Sequence, residues 1–179
     1  MAQPPNNILL STIKDADLSD FTLKGREFIG KVVDIYDGDT CKIVIILDSR
    51  LTKFTCRLVG LDTPEIKPPM TKPNRDEEIA AAKRCRHRLI QLSTNCRVDM
   101  NTADTSKKDI KTIINDNTKL IRVICGDFDK YGRLLVTLYD ANFDANALES
   151  AKSYNTILIE ERFAKPYNGG TKDGFSITL

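Results

Sequence analysis

The chain has 179 residues, of which 41% are hydrophobic and 29% are charged, and its formal net charge is +2. This length and composition suit one globular domain with an extension, and they argue against a disordered or fibrous chain. A net charge so close to zero excludes a global positive field for polyanions. A nucleic-acid partner would have to be met locally, by a few arginines and a cation.

The N-terminal sequence and the cysteines predict an intracellular protein, a class that includes viral proteins in a host-cell cytoplasm. The start, MAQPPNNILL, lacks the basic residues and apolar core of a secretion signal, and the longest apolar run, 43–47, is too short to span a bilayer. The five cysteines are not closely paired, and Cys41, Cys56 and Cys125 lie in strand-like runs. We therefore expect reduced thiols in a core, without disulfides or zinc.

Strand-like segments follow a polar N-terminal arm, residues 1–26. The first three expected strands are 27–36, 40–47 and 51–60. An Asp-Gly turn joins the first two strands, which is a strong hairpin signal. In the third strand, Phe54, Cys56 and Leu58 share one face, so Arg57 lies on the opposite one.

A Pro-rich loop then leads to a helix expected at about 76–92. Asn74 and Glu77 fit an N-cap with its box partner. The residues expected to form the buried stripe, at steps of three and four, are Ile79, Ala82, Cys85, Leu89 and Leu92. The residues expected on the solvent side are Lys83, Arg84, His87 and Arg88.

The second half of the sequence predicts more strands and a short helix. The expected elements are strands near 96–102, 119–126 and 132–139 and a helix near 144–152. A polar segment rich in Lys and Asp separates the first two of these strands, and Arg133 lies on the less apolar face of the last one. An apolar piece, NTILIEERFAKPY, and a tail, 168–179, complete the chain. The order of elements is compatible with an α+β fold, in which a small, five-stranded, partly closed β-barrel carries helices on its outside.

Two short motifs contain the oxygen ligands that a hard cation prefers. DGDT (37–40) places a second acid, Asp39, directly after the turn. In RLVGLDTPE (57–65), the proline stiffens the loop, so the Asp62 carboxylate and the Thr63 carbonyl can be held at one point. Two carboxylates, one carbonyl and several waters would make a Ca²⁺-like site.

The charged residues around these motifs favour phosphodiester hydrolysis. A carboxylate beside a metal-bound water can orient or deprotonate that water, which is the role expected of Glu65. Arg57 and Arg133 come from different strands and would clamp a phosphate whose oxygens gain charge in the transition state. Each motif alone is typical of an ordinary turn, loop or solvated strand residue. The prediction depends on their joint occurrence.

The motifs DGDT, RLVGLDTPE and DKYGR (129–133), in this order on strand-like segments, resemble those of the staphylococcal nuclease (thermonuclease-like) family. The resemblance covers roughly residues 27–167. It implies an OB-fold and a Ca²⁺-dependent nuclease, with Mg²⁺ and Mn²⁺ as alternatives, that hydrolyses DNA and RNA with little sequence preference. The implied substrates are single-stranded DNA, RNA and duplex DNA where it breathes.

The resemblance also implies roles for individual residues. The implied metal ligands are Asp39, Asp62 and the carbonyl of Thr63. The implied catalytic residues are Glu65, as general base or water-orienting group, and the phosphate-binding pair Arg57 and Arg133. The implied substrate-binding residues are Lys130, Tyr131 and Tyr167. Asp37 is implied to lie near the metal without ligating it.

The chain departs from the bacterial secreted members of this family. We expect no export signal at its start, its segment between the helix and DKYGR is longer, and RFAKPYNGGTK stands where those enzymes carry pocket tyrosines. Two alternatives to the enzyme interpretation stay open. One is a catalytically silent OB-fold module that binds nucleic acid or protein, and the other is a structural domain whose acids bind a metal to tether loops.

Overall fold

A computed structural model describes residues 10–96, 106–142 and 151–169 of the chain. Its elements, in chain order, are a 3-10 helix (Asp15–Asp17), β1 (Glu27–Ile35), β2 (Thr40–Leu47), β3 (Arg50–Leu58), β4 (Leu61–Asp62), α1 (Arg75–Ser93), α2 (Lys107–Asp116), β5 (Leu120–Phe128), β6 (Leu134–Asp140), α3 (Tyr154–Glu160) and β7 (Lys165–Pro166).

The centre of the fold is a closed five-stranded barrel with the strand order β1-β2-β3-β6-β5. The pair β3–β6 is parallel, and the other neighbours are antiparallel. The short strands β4 and β7 form a separate two-stranded sheet. The predicted fold class, an α+β five-stranded barrel of the OB-fold type with helices outside, is confirmed.

The barrel interior is filled by the inward-facing residues of its strands, as the alternation in the sequence predicts. Leu134, Val136 and Leu138 of β6 are all buried. In β3, Cys56 and Leu58 are buried, Phe54 packs against the core and Arg57 lies on the opposite face. None of the five cysteines forms a disulfide and all are buried, which confirms the expected core thiols. Burial raises the pKa of the Cys56 thiol to about 12.

Helix α1 is buried on more than one side, which contradicts two sequence expectations. It contacts α3 as well as the barrel strand β1, so His87 is only 2% exposed instead of facing solvent. Asn74 has a left-handed backbone (φ 55°) and makes no side-chain capping bond, so the expected box with Glu77 is absent. Within the expected stripe, Ala82, Cys85 and Leu89 are buried and the remaining two residues are half-buried.

The Lys- and Asp-rich segment before β5 contains a helix that the sequence analysis missed. Helix α2 begins with a capping box in which Ser106 accepts from the Asp109 amide and the Asp109 carboxylate accepts from the Ser106 amide. Ile110 and Ile114 are buried, and the helix packs against β1. The segment is polar in composition, but isoleucines four residues apart give its helix an apolar face.

Helix α3 joins the parallel strands of the barrel through one buried side chain. The Asn155 amide donates to the carbonyls of Val59 and Val136 at 2.9 and 3.1 Å, and its oxygen accepts from the Leu138 amide at 3.2 Å. Most of helix α3 lies in the apolar piece 155–167.

Two expected elements lie largely outside the described residues. They are the helix near 144–152, which falls largely in 143–150, and the strand near 96–102, which falls largely in 97–102.

The end of the predicted N-terminal arm packs closely on the barrel. Leu23 is completely buried in the core, and Gly25 and Arg26 exchange backbone hydrogen bonds with Cys125 at 2.8 and 2.9 Å. Phe21 contacts Phe128 with ring centroids 6.2 Å apart. Residues just before β1 therefore contribute to the barrel core.

Candidate active site

One cavity of about 410 Å³ gathers residues from all the predicted motifs. Its lining residues are Asp37, Asp39, Thr40, Arg57, Thr63, Pro64, Glu65, Lys130, Tyr131, Arg133 and Tyr167. Among the residues to which the sequence assigns a role, Asp62 is the one that does not line this cavity. Residues separated by more than a hundred positions in the sequence therefore meet at one place on the barrel.

The DGDT turn aims the Asp39 carboxylate into this cavity. The Tyr36 amide donates to the Thr40 carbonyl at 2.9 Å, and the Asp39 amide donates to Asp37 Oδ1 at 3.2 Å. The Leu58 amide of β3 donates to the Asp39 carbonyl at 2.8 Å, which fixes the start of β2 against β3. These bonds hold Asp39 at only 3% exposure in the wall of the cavity.

The glycine of this turn is required by packing and not by its backbone angle. Gly38 does not have a positive φ, although an Asp-Gly hairpin commonly does. A Cβ added at Gly38 would lie 2.2 Å from Cys85 Sγ and 3.0 Å from Thr63 Cγ2. The turn therefore lies directly on helix α1, and any side chain at this position would separate the two.

Negative charge is concentrated at the turn. Burial raises the pKa of the Asp37 carboxyl to about 7, and the neighbouring Asp39 carboxylate adds to that rise. The Thr40 hydroxyl donates to Asp39 Oδ1 at 2.8 Å. A positive group at this point would favour the ionised form of Asp37.

Arg57 lies between the two aspartates that the sequence assigns to a metal. Thr40 and Arg57 are direct partners in the β2–β3 ladder, so the guanidinium reaches the adjacent Asp39. Its Nη1 contacts Asp39 Oδ2, while Nη2 lies 3.6 Å from Asp62 Oδ1 and 3.5 Å from the Leu61 carbonyl. One guanidinium therefore partly neutralises both carboxylates.

The parallel pair β3–β6 brings the second arginine to the same cavity. Leu134 of β6 pairs with Cys56 of β3, and Arg133 directly precedes β6. Asp129 holds this arginine, because Arg133 Nε donates to Asp129 Oδ2 and the Arg133 amide donates to Oδ1, at 2.8 and 2.9 Å. Gly132 has a φ of 75°, which closes the turn between them.

Aromatic residues form the outer part of the cavity. Tyr131 is 72% exposed, and its ring lies 5.1 Å from Lys130 Nζ and 5.5 Å from Arg133 Cζ. Tyr167 follows β7, whose residues pair with β4, and its amide donates to the Gly60 carbonyl at 3.0 Å. The exposed ring of Tyr131, flanked by two cations, is suited to stack on a base beside a phosphate.

The donor set fits a hard cation in its chemistry. Asp39 and Thr63 line the cavity and are buried at 3% and 5% exposure, and Glu65 lies beside them. Carboxylate and carbonyl oxygens are the ligands that Ca²⁺ takes. Across the described ranges, no group of three or more His, Cys, Asp or Glu side chains is arranged to hold a metal. The expected set has only two carboxylates with a carbonyl.

Sequence reasoning missed two acids that organise this site. The motif DKYGR contains Asp129, but the sequence does not predict its bond to Arg133; the available signal is an aspartate at the first position of a Gly-containing turn. The sequence assigns no role to Glu78, which lies in the first turn of α1. Glu78 is only 3% exposed, and it accepts a hydrogen bond from the Glu65 amide at 3.2 Å.

Comparison of the chain with protein-family models and with curated proteins finds no match. In the part of the chain that the structure describes, no helix has the length and apolarity needed to cross a bilayer.

Proposed function

We propose that this protein is a nuclease of the staphylococcal nuclease type, which hydrolyses phosphodiester bonds of DNA and RNA with little sequence preference. One observation carries the proposal: Asp39, Arg57, Glu65 and Arg133 line one cavity, together with aromatic residues at its outer part. Acids next to two arginines are the groups that hydrolysis of a phosphodiester uses. The near-neutral net charge agrees with recognition by a local site.

Asp39, Asp62 and the Thr63 carbonyl would hold the cation. A bound Ca²⁺, or Mg²⁺ or Mn²⁺ in its place, supplies positive charge next to the phosphate and lowers the pKa of a nearby water. The two aspartates and the carbonyl therefore serve mainly to bind and orient the ion.

The remaining residues act on the substrate. The Glu65 carboxylate orients a water towards phosphorus and accepts its proton as the new P–O bond forms. The P–O bond to the leaving ester oxygen breaks, and that oxygen takes a proton from solvent. Arg57 and Arg133 donate hydrogen bonds to the phosphate oxygens, where negative charge grows in the transition state. Lys130 and Tyr131 bind the neighbouring phosphate, and Tyr167 contacts the nucleotide.

The second candidate is a catalytically silent module that binds nucleic acid or protein. One observation favours it, because both arginines are already paired with acids, Arg57 with Asp39 and Arg133 with Asp129. Nuclease activity requires each guanidinium to give up part of its bonding to the acid in order to bind a phosphate. A silent module has no such requirement.

The experiment that separates the two incubates purified protein with labelled single-stranded DNA, RNA or duplex DNA, in Ca²⁺, Mg²⁺, Mn²⁺ or EDTA. We expect products that depend on the metal and disappear in EDTA. Arg133→Ala and Glu65→Ala should each lower kcat at least about a hundredfold. Arg84→Ala, which removes an exposed arginine of α1, is the matched control and should leave kcat unchanged. Binding by the folded protein without cleavage in any metal would favour the silent module.

A further inference from the structure

Glu78 is a buried carboxylate that the proposed catalytic roles leave unused. It lies in the first turn of α1 at 3% exposure, whereas its neighbours Asp76 and Glu77 are exposed. An acid at a helix start gains its usual dipole stabilisation at the surface, without being buried. Burial of a carboxylate is unfavourable unless the group is paired and hydrogen-bonded, so the contacts of Glu78 explain its position.

Both oxygens of Glu78 bind the loop between β4 and α1. Oε1 accepts from the Glu65 amide at 3.2 Å, and Oε2 forms an ion pair with Lys72. The same helix turn contributes a third contact, because Arg75 Nε donates to the Pro68 carbonyl at 3.3 Å. The first turn of α1 therefore fixes the loop near its beginning, its middle and its end.

We propose that Glu78 is a positioning residue, which holds the backbone of Glu65 so that its exposed carboxylate stays at the cavity; this inference rests on the proposed function. Glu65 follows Pro64, whose fixed φ limits the backbone on one side. The hydrogen bond to Glu78 fixes the amide of Glu65 itself. A displacement of about 1 Å in a reacting group can lower a rate by about a hundredfold, so this anchor matters for kcat.

Two double variants isolate the anchor from the ion pair. Lys72→Met with Glu78→Met replaces the ion pair of a buried acid and a half-buried lysine by apolar residues of similar length, and such replacements are often neutral for stability. Lys72→Met with Glu78→Gln also removes both charges, but it keeps an oxygen that can accept from the Glu65 amide. The two variants therefore differ chiefly in this one hydrogen bond.

We expect kcat of the Met/Met variant to fall about tenfold or more with KM within about twofold, while the Met/Gln variant stays within about threefold of the parent. In a Glu65→Gln background the two double variants should have equal kcat, because the group being positioned is gone. Amide hydrogen exchange at residue 65 should be faster in Met/Met than in Met/Gln.

The results test the positioning role of Glu78 and the proposed function separately. Equal kcat for the two double variants in an active parent overturns the positioning role and leaves the proposed function standing. A further loss from Met/Met in the Glu65→Gln background also overturns it, since Glu78 would then act by another route. A folded parent that cleaves no substrate refutes the proposed function, and the exchange rate at residue 65 still decides whether Glu78 anchors the loop.

Discussion

Arg133 is bound by Asp129 through its side chain and its backbone at once. Nε and Nη2 of the guanidinium both lie 2.8 Å from Asp129 Oδ2, and the Arg133 amide donates to Oδ1 at 2.9 Å. The Tyr131 amide donates to the same Oδ1, also at 2.9 Å. One carboxylate therefore determines both the shape of the turn and the direction of the arginine in the cavity.

Asp129→Asn should lower kcat about tenfold, which is less than the loss expected for Arg133→Ala. The amide keeps an acceptor for the turn but loses the charge that aligns the guanidinium, so the arginine remains present and becomes less well oriented. Steady-state cleavage of labelled single-stranded DNA measures the effect. Asp127→Asn, at an exposed acid two residues away, is the control, and an equal loss there would contradict the prediction.

The pair of Asp129 and Arg133 should make the free energy of unfolding depend on pH in the acid range. Burial raises the pKa of Asp129, but hydrogen bonds from the Arg133 and Tyr131 amides and from the Arg133 side chain outweigh burial and lower it. A lowered pKa in the folded state stabilises the fold above the unfolded-state value of about 3.9, and this is lost as pH falls through the folded-state pKa.

Thermal unfolding of the parent and of Asp129→Asn should therefore differ at pH 7 and converge in acid. We expect a midpoint about 2–4 °C lower for the variant at pH 7, and a much smaller difference near pH 2.5. Asp48→Asn, at an exposed turn residue, should show no such convergence. A midpoint difference that stays constant between the two pH values would rule out the ion pair as its source.

Gly38→Ala should destabilise the protein through contact with helix α1. The added Cβ would lie 2.2 Å from Cys85 Sγ, and overpacking of this kind costs about 1–3 kcal/mol. Cys85→Ala removes that sulfur, so the double variant should be less destabilised than the sum of the single changes. Chemical denaturation of the four proteins measures the coupling, and strict additivity would contradict the contact.

Asp39→Asn should weaken cation binding more than the same change at an exposed acid. The variant keeps the size of the side chain and loses one of the two charged ligands, so we expect at least about a tenfold weaker Ca²⁺ affinity by calorimetry. Asp48→Asn makes the same chemical change at an exposed turn with a left-handed backbone, which asparagine tolerates. Equal affinity in the two variants would remove Asp39 from the ligand set.

The barrel could be predicted from sequence because alternation along a strand reports directly which face is buried. Leu134, Val136 and Leu138 carry this signal in β6, and Cys56 and Leu58 carry it in β3. The helices were harder, because their burial depends on what packs against them. His87 is buried because α1 contacts both α3 and the barrel, a relation between distant segments that a single helical stripe does not reveal.

Most members of the candidate site were predicted, and the partners that orient them were not. Asp39 and Arg57 stand in motifs whose residue types indicate their chemistry. Asp129 and Glu78 accept hydrogen bonds from the backbone amides of Arg133 and Glu65, and a sequence does not show which amide an acid will meet. The glycine of DGDT is a similar case, since its turn was predicted correctly while the reason for a glycine lies in Cys85, forty-seven positions later.

The parallel closure of the barrel through β3 and β6 has a consequence for synthesis of the chain. The turn and loop that carry Asp39 and Glu65 leave the ribosome early, and the acidic half of the cavity can assemble from them as neighbours. Arg133 and Tyr167 are translated much later, after α1 and α2. A nascent chain therefore carries these acids and Arg57 before it carries Arg133 or Tyr167, and the complete cavity exists only once residue 167 has been released to fold.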